Sequence, residues 1–211
     1  MKVSLLFPPT WHPSQPYLSL PSLTGFLAQG GVTNVCQRDL GIELLDGVVT
    51  QSYGAELYQE LVDKRRALER ERTGETGPGS AEHLARVVES LDRFPYLIDR
   101  IEPAKETLRG EGFYDIESYK ESLFLIDKWL EVLSTLYFPT RLTVVDNQFS
   151  SYSIYSSKDL MKIIRDEAQN PYIKLFRERF VQSIVADQPD LIGVSITATS
   201  QIIPGLTLCR L

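Results

Sequence analysis

The side chains best suited to chemistry gather in two short stretches. The first is Pro8-Pro-Thr-Trp-His-Pro-Ser-Gln-Pro-Tyr-Leu-Ser-Leu-Pro21, which offers Thr10, Trp11, His12, Ser14, Gln15 and Tyr17 beside Pro9. Its prolines restrict the unfolded chain, so fixing this loop in one shape costs less entropy. The second is Ser195-Ile-Thr-Ala-Thr-Ser-Gln201, where small hydroxyl side chains lead into a helix. Ser195, Thr197, Thr199, Ser200 and Gln201, with the unpaired N–H groups of a helix start, could hold a ligand edge or a phosphate. Thr199 and Ser200 could equally do no more than cap the helix. His12 could act as a metal ligand or general base, although a single His between Trp11 and Pro13 is more often a surface or packing residue. His83, beside Glu82 in a polar helix, is expected to be solvated. Asp39, at a strand end, could accept a ribose hydroxyl or cap a turn.

Other chemistries lack their residues. No GxGxxG or GxxxxGK[ST] is present, so nucleotide signatures fail. Ser195 sits without a GxSxG elbow, so no Ser–His–Asp arrangement is suggested. The 28 acidic residues offer many carboxylate pairs and no spacing that selects one. Cys36 and Cys209 stand far apart without a CxxC. They read as reduced, partly buried thiols, and two thiolates fall short of the three or four an iron–sulfur cluster needs. No metal-ligating set and no catalytic residue is assigned.

Composition bounds the partners. The 211 residues are 43% hydrophobic and 24% charged, with a net charge of -6. That is ordinary for a globular protein and gives no basic surface for nucleic acid. No apolar run approaches the roughly 20 residues that span a membrane. The N-terminal apolar run ends after about five residues at Pro8-Pro9, short of the roughly 7–15 of a signal core. The expected location is the cytoplasm.

The elements that position the two stretches are strands and helices in alternation. Lys2 to Phe7 is a nearly continuous apolar strand, as a strand covered on both faces requires. A helix from Ser22 stops at Gly30-Gly31. Val32 to Arg38 is a second strand, and Leu191 to Ile196 a third, reached through the turn Gln188-Pro189-Asp190. Between them lie helices: Gly54 to Arg72, Ser80 to about Arg93, and Pro95 to Arg109, with Pro103 bending the last or marking its true start. Asp115 caps another helix, with Tyr119, Leu123, Ile126, Leu130, Leu133 and Leu136 as its buried stripe. Pro139 ends it. Arg141 to Val145 is a short strand, Ser156 opens a helix to Gln169, and Asn170-Pro171 opens one to Asp187. Thr73 to Gly79 is an exposed, mobile loop. The fold class is therefore α/β, a partial doubly wound, Rossmann-like parallel sheet with a large helical insertion. Residues 1–46 form its first part, 47–188 the insertion of roughly 140 residues, and 189–211 the return to the sheet. Two strand–loop–helix units need further parallel neighbours, so the chain is expected to be the front of a longer polypeptide. An exposed edge beside Leu191 to Ile196 predicts dimerisation there, or cover from the insertion.

The opening Met1-Lys-Val-Ser-Leu-Leu-Phe-Pro-Pro9, with Pro21-Ser-Leu-Thr-Gly-Phe-Leu27 and Gly30-Gly-Val32, resembles the N-terminal cobalamin-binding domain of cobalamin-dependent radical SAM enzymes. The tail, Pro189-Asp-Leu-Ile-Gly-Val-Ser-Ile196 with Gln201-Ile-Ile-Pro-Gly-Leu-Thr-Leu208, looks like a later strand and helix of that domain. The middle, Asn147-Gln-Phe149 through Tyr155-Ser-Ser157 and Asn170-Pro171, is similar to a subgroup with a helical insertion, which includes peptide-modifying maturases. The resemblance implies cobalamin held at the sheet, with its tail between strand ends and helices. It places Ser195, followed by Thr197, near that tail and the Pro8 to Trp11 loop, with Pro9 and Thr10, by the corrin edge; His12 comes directly after that loop. Two features depart from it. Asp-x-His-x-x-Gly is absent, which puts His12 as lower ligand in doubt, and CxxxCxxC is absent from these residues. The implied role is the cobalamin-binding portion of a methyltransferase or cyclase, inactive alone. A 4Fe-4S cluster and S-adenosylmethionine would belong to the remainder of the polypeptide. The competing expectation is a non-enzymatic module that binds a protein or peptide partner.

Overall fold

Val3–Phe7 form strand β1, and all five side chains are buried. The computed structural model describes residues 1–71 and 78–211; of the loop expected at Thr73 to Gly79, residues 73–77 lie outside the described residues. The further strands are β2 (Val35–Asp39), β3 (Arg141–Leu142), β4 (Asn147–Gln148) and β5 (Leu191–Val194). The helices are α1 (Ser19–Gln29), α2 (Leu40–Val48), α3 (Gln51–Glu71), α4 (Pro78–Arg109) and α5 (Ile116–Thr135). Then follow α6 (Ser157–Ile163), α7 (Pro171–Phe176), α8 (Gln182–Ala186) and α9 (Ile202–Arg210). The chain is α/β and mostly helical. It divides into two compact units, Met1–Asp46 with Ser151–Leu211, and Gly47–Ser150.

In the first unit β1 lies between β2 and β5 and is parallel to both. Val3 stands opposite Val35 and Leu191, and Leu6 opposite Arg38 and Val194. Val3, Leu5 and Phe7 cluster with Leu20 of α1 on one face. On the other face Leu6 lines a cavity of about 340 Å³ with Ile184, Val194 and Leu208. Burial on both faces is what the uninterrupted apolar run requires. Helix α1 begins at Ser19 rather than Ser22, with Pro21 in the first turn, where a missing N–H has no intrahelical partner to lose. It ends in a Schellman motif. The N–H of Val32 donates to the Leu27 carbonyl at 2.9 Å and that of Gly31 to Ala28 at 3.0 Å, with Gly31 at φ +82°.

Residues 151–188 were expected in the insertion, but 151–211 cluster with the sheet. A periodic apolar stripe announces a buried face without saying what buries it. The partner is visible at Asn170, which is fully buried. Its side chain accepts from the N–H of Tyr172 at 3.1 Å and donates to the Ile163 carbonyl at 3.1 Å and the Thr207 hydroxyl at 2.9 Å. One amide thus joins α6, α7 and α9. Helix α6 stops at Ile163, short of the expected Gln169. There Asp166 takes N–H groups from Ala168 and Gln169 and the Tyr152 hydroxyl, bonds that compete with helix continuation. From Pro171 to Ala186 the chain is helical throughout, with a π turn at Arg177–Val181.

In the second unit α4 packs against α3 and α5. It runs unbroken through Pro95 and Pro103, where the sequence predicted a break and a bend. Each interior proline costs roughly 3 kcal/mol. Buried Leu84, Val87, Leu91, Phe94, Leu97 and Ile101 outweigh that, at about 1.5–3 kcal/mol each. Asp115 caps α5 as expected, accepting from the Ser118 N–H at 2.9 Å. The buried stripe is turned from the predicted one. Trp129 is its centre, fully buried, 4.8 Å edge-on from Phe94, and donating to the Val48 carbonyl at 2.8 Å. Tyr119, Leu123 and Leu136 are only half-buried. Gly54 of α3 leaves room for this indole, since a Cβ there would lie 2.6 Å from the ring. His83 is buried rather than solvated. Its Nε2 lies 2.8 Å from the Thr135 carbonyl, its ring stacks on Phe138 at 4.9 Å, and burial lowers its pKa. Of the strand expected at 141–145, only Arg141–Leu142 pairs, with Asn147–Gln148.

Asn170→Ala strands the Tyr172 N–H, and urea denaturation should show a loss of about 1–3 kcal/mol. Tyr152 donates to Asp166 at 2.6 Å, and its phenol is pushed up to about 12, first by that hydrogen bond. The native state then holds a proton that the unfolded state releases near its ordinary value of about 10. Stability from this pair is full below that value and lost as pH rises toward 12. In a tyrosinate absorbance titration, Asp166→Asn should bring the Tyr152 step down from about 12.

Candidate functional site

Three parallel strands put their carboxyl ends on one edge of the sheet. The Pro8 to Tyr17 loop leaves β1 there, Asp39 ends β2, and the Ser195 to Gln201 loop leaves β5. The two stretches singled out from sequence therefore meet, although nearly the whole chain separates them.

Gln201 is the residue that joins them. It is fully buried. Its Nε2 donates to the Pro8 carbonyl at 2.7 Å. Its Oε1 accepts from the Thr197 N–H and hydroxyl at 2.9 Å each and from the Ala198 N–H at 3.2 Å. Ala198 occupies the N-cap position and has no side-chain oxygen, so Gln201 reaches back to cap the turn, the Gln half of a capping box. Thr199 and Ser200 lie inside that turn and are not its caps. The Ser200 hydroxyl instead donates to the Thr10 carbonyl at 3.0 Å. Thr10, itself buried, shares a 3.0 Å hydrogen bond with the Tyr172 hydroxyl.

The first loop is held by aromatic packing. Tyr17 stacks on Phe7 at 5.5 Å, and Trp11 meets both edge-on at 6.3 and 5.0 Å. The Trp11 indole donates to the Gln15 carbonyl at 2.5 Å. His12 Nδ1 accepts from the Ser14 N–H at 3.3 Å and lies 2.8 Å from the Ser14 hydroxyl. An accepting Nδ1 places the neutral ring's proton on Nε2. Asp39 caps α2, its Oδ1 accepting from Gly41 and Ile42 at 3.0 and 3.1 Å. Burial raises its pKa, and those two N–H groups offset the rise only in part.

Of the residues chosen from sequence, Pro9, Thr10 and Gln201 are buried. Trp11, His12, Ser195 and Ser200 are half-buried, and Thr197 and Thr199 are exposed. Comparison of the chain with protein-family models, curated proteins and solved structures gives no match. Among the described residues, no three His, Cys, Asp or Glu side chains are grouped to hold a metal ion. The hydroxyls of Ser195 and Thr199 can donate and accept, and that of Thr197, which donates to Gln201, can still accept, so this edge suits a neutral, amide-rich or hydroxyl-rich ligand more than an ion. Sequence reading missed Tyr172, 162 residues from its partner Thr10, and no local pattern signals such a contact. The capping role of Gln201 was not read either, because Ala198 stands where a capping box would show Ser or Thr.

Gln201→Leu should leave the Pro8 carbonyl and the Thr197 and Ala198 N–H groups unsatisfied and cost about 1–3 kcal/mol. Hydrogen exchange at Thr197 and Ala198 should quicken. Thr199→Ala, at an exposed site, should change stability by less than about 0.5 kcal/mol.

Proposed function

We propose that this chain is the cobalamin-binding portion of a radical SAM enzyme, a methyltransferase or cyclase in type, built on a Rossmann-like doubly wound sheet and inactive alone. One observation supports the reading most. The chain goes from β1 to β2 on one side and returns as β5 on the other, a reversal of strand order of the kind where open α/β sheets bind ligands. The two loops at that reversal are those the resemblance assigns to the cofactor.

The fit is good at the surface and poor in the crevice. Ser195, Thr197 and Thr199 suit the amide-bearing rim of a corrin, and Trp11 adds an apolar face. Between the loops, Gln201 donates to the Pro8 carbonyl and Ser200 to that of Thr10, bonds that a nucleotide tail entering there would displace. Entry there requires groups that replace those hydrogen bonds. Bound cobalamin would supply methyl transfer; the chain's own residues would hold its rim and keep water from the sheet edge. The 4Fe-4S cluster and S-adenosylmethionine belong, on this reading, to the remainder of the radical SAM polypeptide. The same proposal places the protein in the cytoplasm, with neither nucleic acid nor membrane as partner. No described helix is long and apolar enough to cross a membrane. It includes a homodimer through the β5 edge, where Leu191 and Ile192 are exposed.

A second reading, a non-enzymatic module for a protein or peptide partner, is favoured by those cross-loop bonds and by exposed Leu18, Leu23 and Phe26 on and beside α1.

Absorbance titration with hydroxocobalamin separates the two. Binding with a shifted spectrum, weakened about tenfold by Ser195→Ala with Thr197→Val, is expected. No binding by this chain or by a longer form carrying CxxxCxxC would sink the cobalamin assignment. Radical SAM turnover by these 211 residues alone would contradict the claim of inactivity.

A further inference from the structure

The second unit holds a groove between α4 and α5 that the cobalamin reading does not use. Its cavity is about 360 Å³, within the size range of small-molecule sites. Tyr96 from α4 and Phe124 from α5 line it and are 55% and 59% exposed. Arg100 lies 4.3 Å over the Tyr96 ring and Lys128 5.6 Å over that of Phe124; the parts of both rings still in water offer surface to a flat apolar body. Leu97, Val132 and Pro139 add further apolar lining.

The rim is cationic in an acidic chain. Arg86, Arg93, Lys128 and Arg141 line the groove against two carboxylates, Glu89 and Glu131. Arg93 pairs with Glu89 at 2.6 Å, Lys128 with Glu131 at 2.6 Å, and Arg141 with Glu131 at 3.8 Å. Arg93 and Arg141 are more than half exposed, so these pairs hold weakly and can yield to another anion. Glu131 reports the local field. Burial pushes its carboxyl up, yet Lys128, Arg141 and Arg93 together bring it below its ordinary value.

We infer that this groove binds a small aromatic carboxylate, its ring between Tyr96 and Phe124 and its carboxylate on Arg93 and Arg141. A guanidinium fork matches a planar carboxylate with two parallel hydrogen bonds, which favours this head group. The cavity's size argues for a small molecule over a protein segment.

The probe is 2-naphthoate, titrated into the whole chain by calorimetry, with 2-naphthalenemethanol as its uncharged counterpart. One saturable site below about 1 mM is expected. Affinity should fall about tenfold for the alcohol and for Arg93→Gln with Arg141→Gln. Phe124→Ser should weaken both ligands. All these positions are exposed, and an unchanged circular dichroism spectrum and urea midpoint confirm folding. Absence of saturation, equal binding of acid and alcohol, or indifference to the arginine pair overturns the inference. Tighter binding of an acidic tryptophan peptide than of naphthoate overturns the small-molecule assignment and leaves a peptide groove.

Discussion

β1 is paired on both sides and covered on both faces, and the first unit is arranged around that constraint. Its backbone needs two neighbours, and none of the adjacent sequence can supply them, because parallel strands require a crossover. One neighbour comes through α1 as β2. The other is β5, reached only near the far end of the chain. Loop-closure entropy rises slowly with length, so a long intervening segment is tolerable. All three strands then run the same way, and their following loops must share one edge. The candidate site is a consequence of the pairing.

What closes that edge is polar. Gln201 and Ser200 donate to carbonyls of the opposite loop, the first bond buried and the second partly so. A buried polar group left without a partner costs about 1–3 kcal/mol. The closed arrangement is therefore stable unless a ligand offers equivalent donors and acceptors. The same rule makes Asn170 a fixed point, with both ends of its amide engaged. Any chemistry at this edge begins with polar exchange.

The second unit is governed by apolar packing. Trp129 fits beside Gly54 and against Phe94, and the stripe on α4 carries the helix through two prolines. Burial on one side of α4 and α5 leaves Tyr96 and Phe124 on another, with the arginines beside them. The groove exists because an amphipathic helix can satisfy only so many neighbours.

Several features were readable from residues alone. The apolar run of β1, the stop at Gly30-Gly31, the caps at Asp115 and Asn170 and the turn before β5 each depend on neighbours within a few positions, and local chemistry decides them. Other features were not. Whether His83 is wet or buried, which way the α5 stripe turns, whether Pro95 breaks a helix and where residues 151–188 belong depend on side chains far away in sequence. The sequence determined that two loops with hydrogen-bonding side chains follow apolar strands. Only the tertiary structure decided that the Gln201 amide N–H and the Ser200 hydroxyl donate to the opposite loop, because a donor takes the nearest acceptor in space, and that distance is set by the sheet.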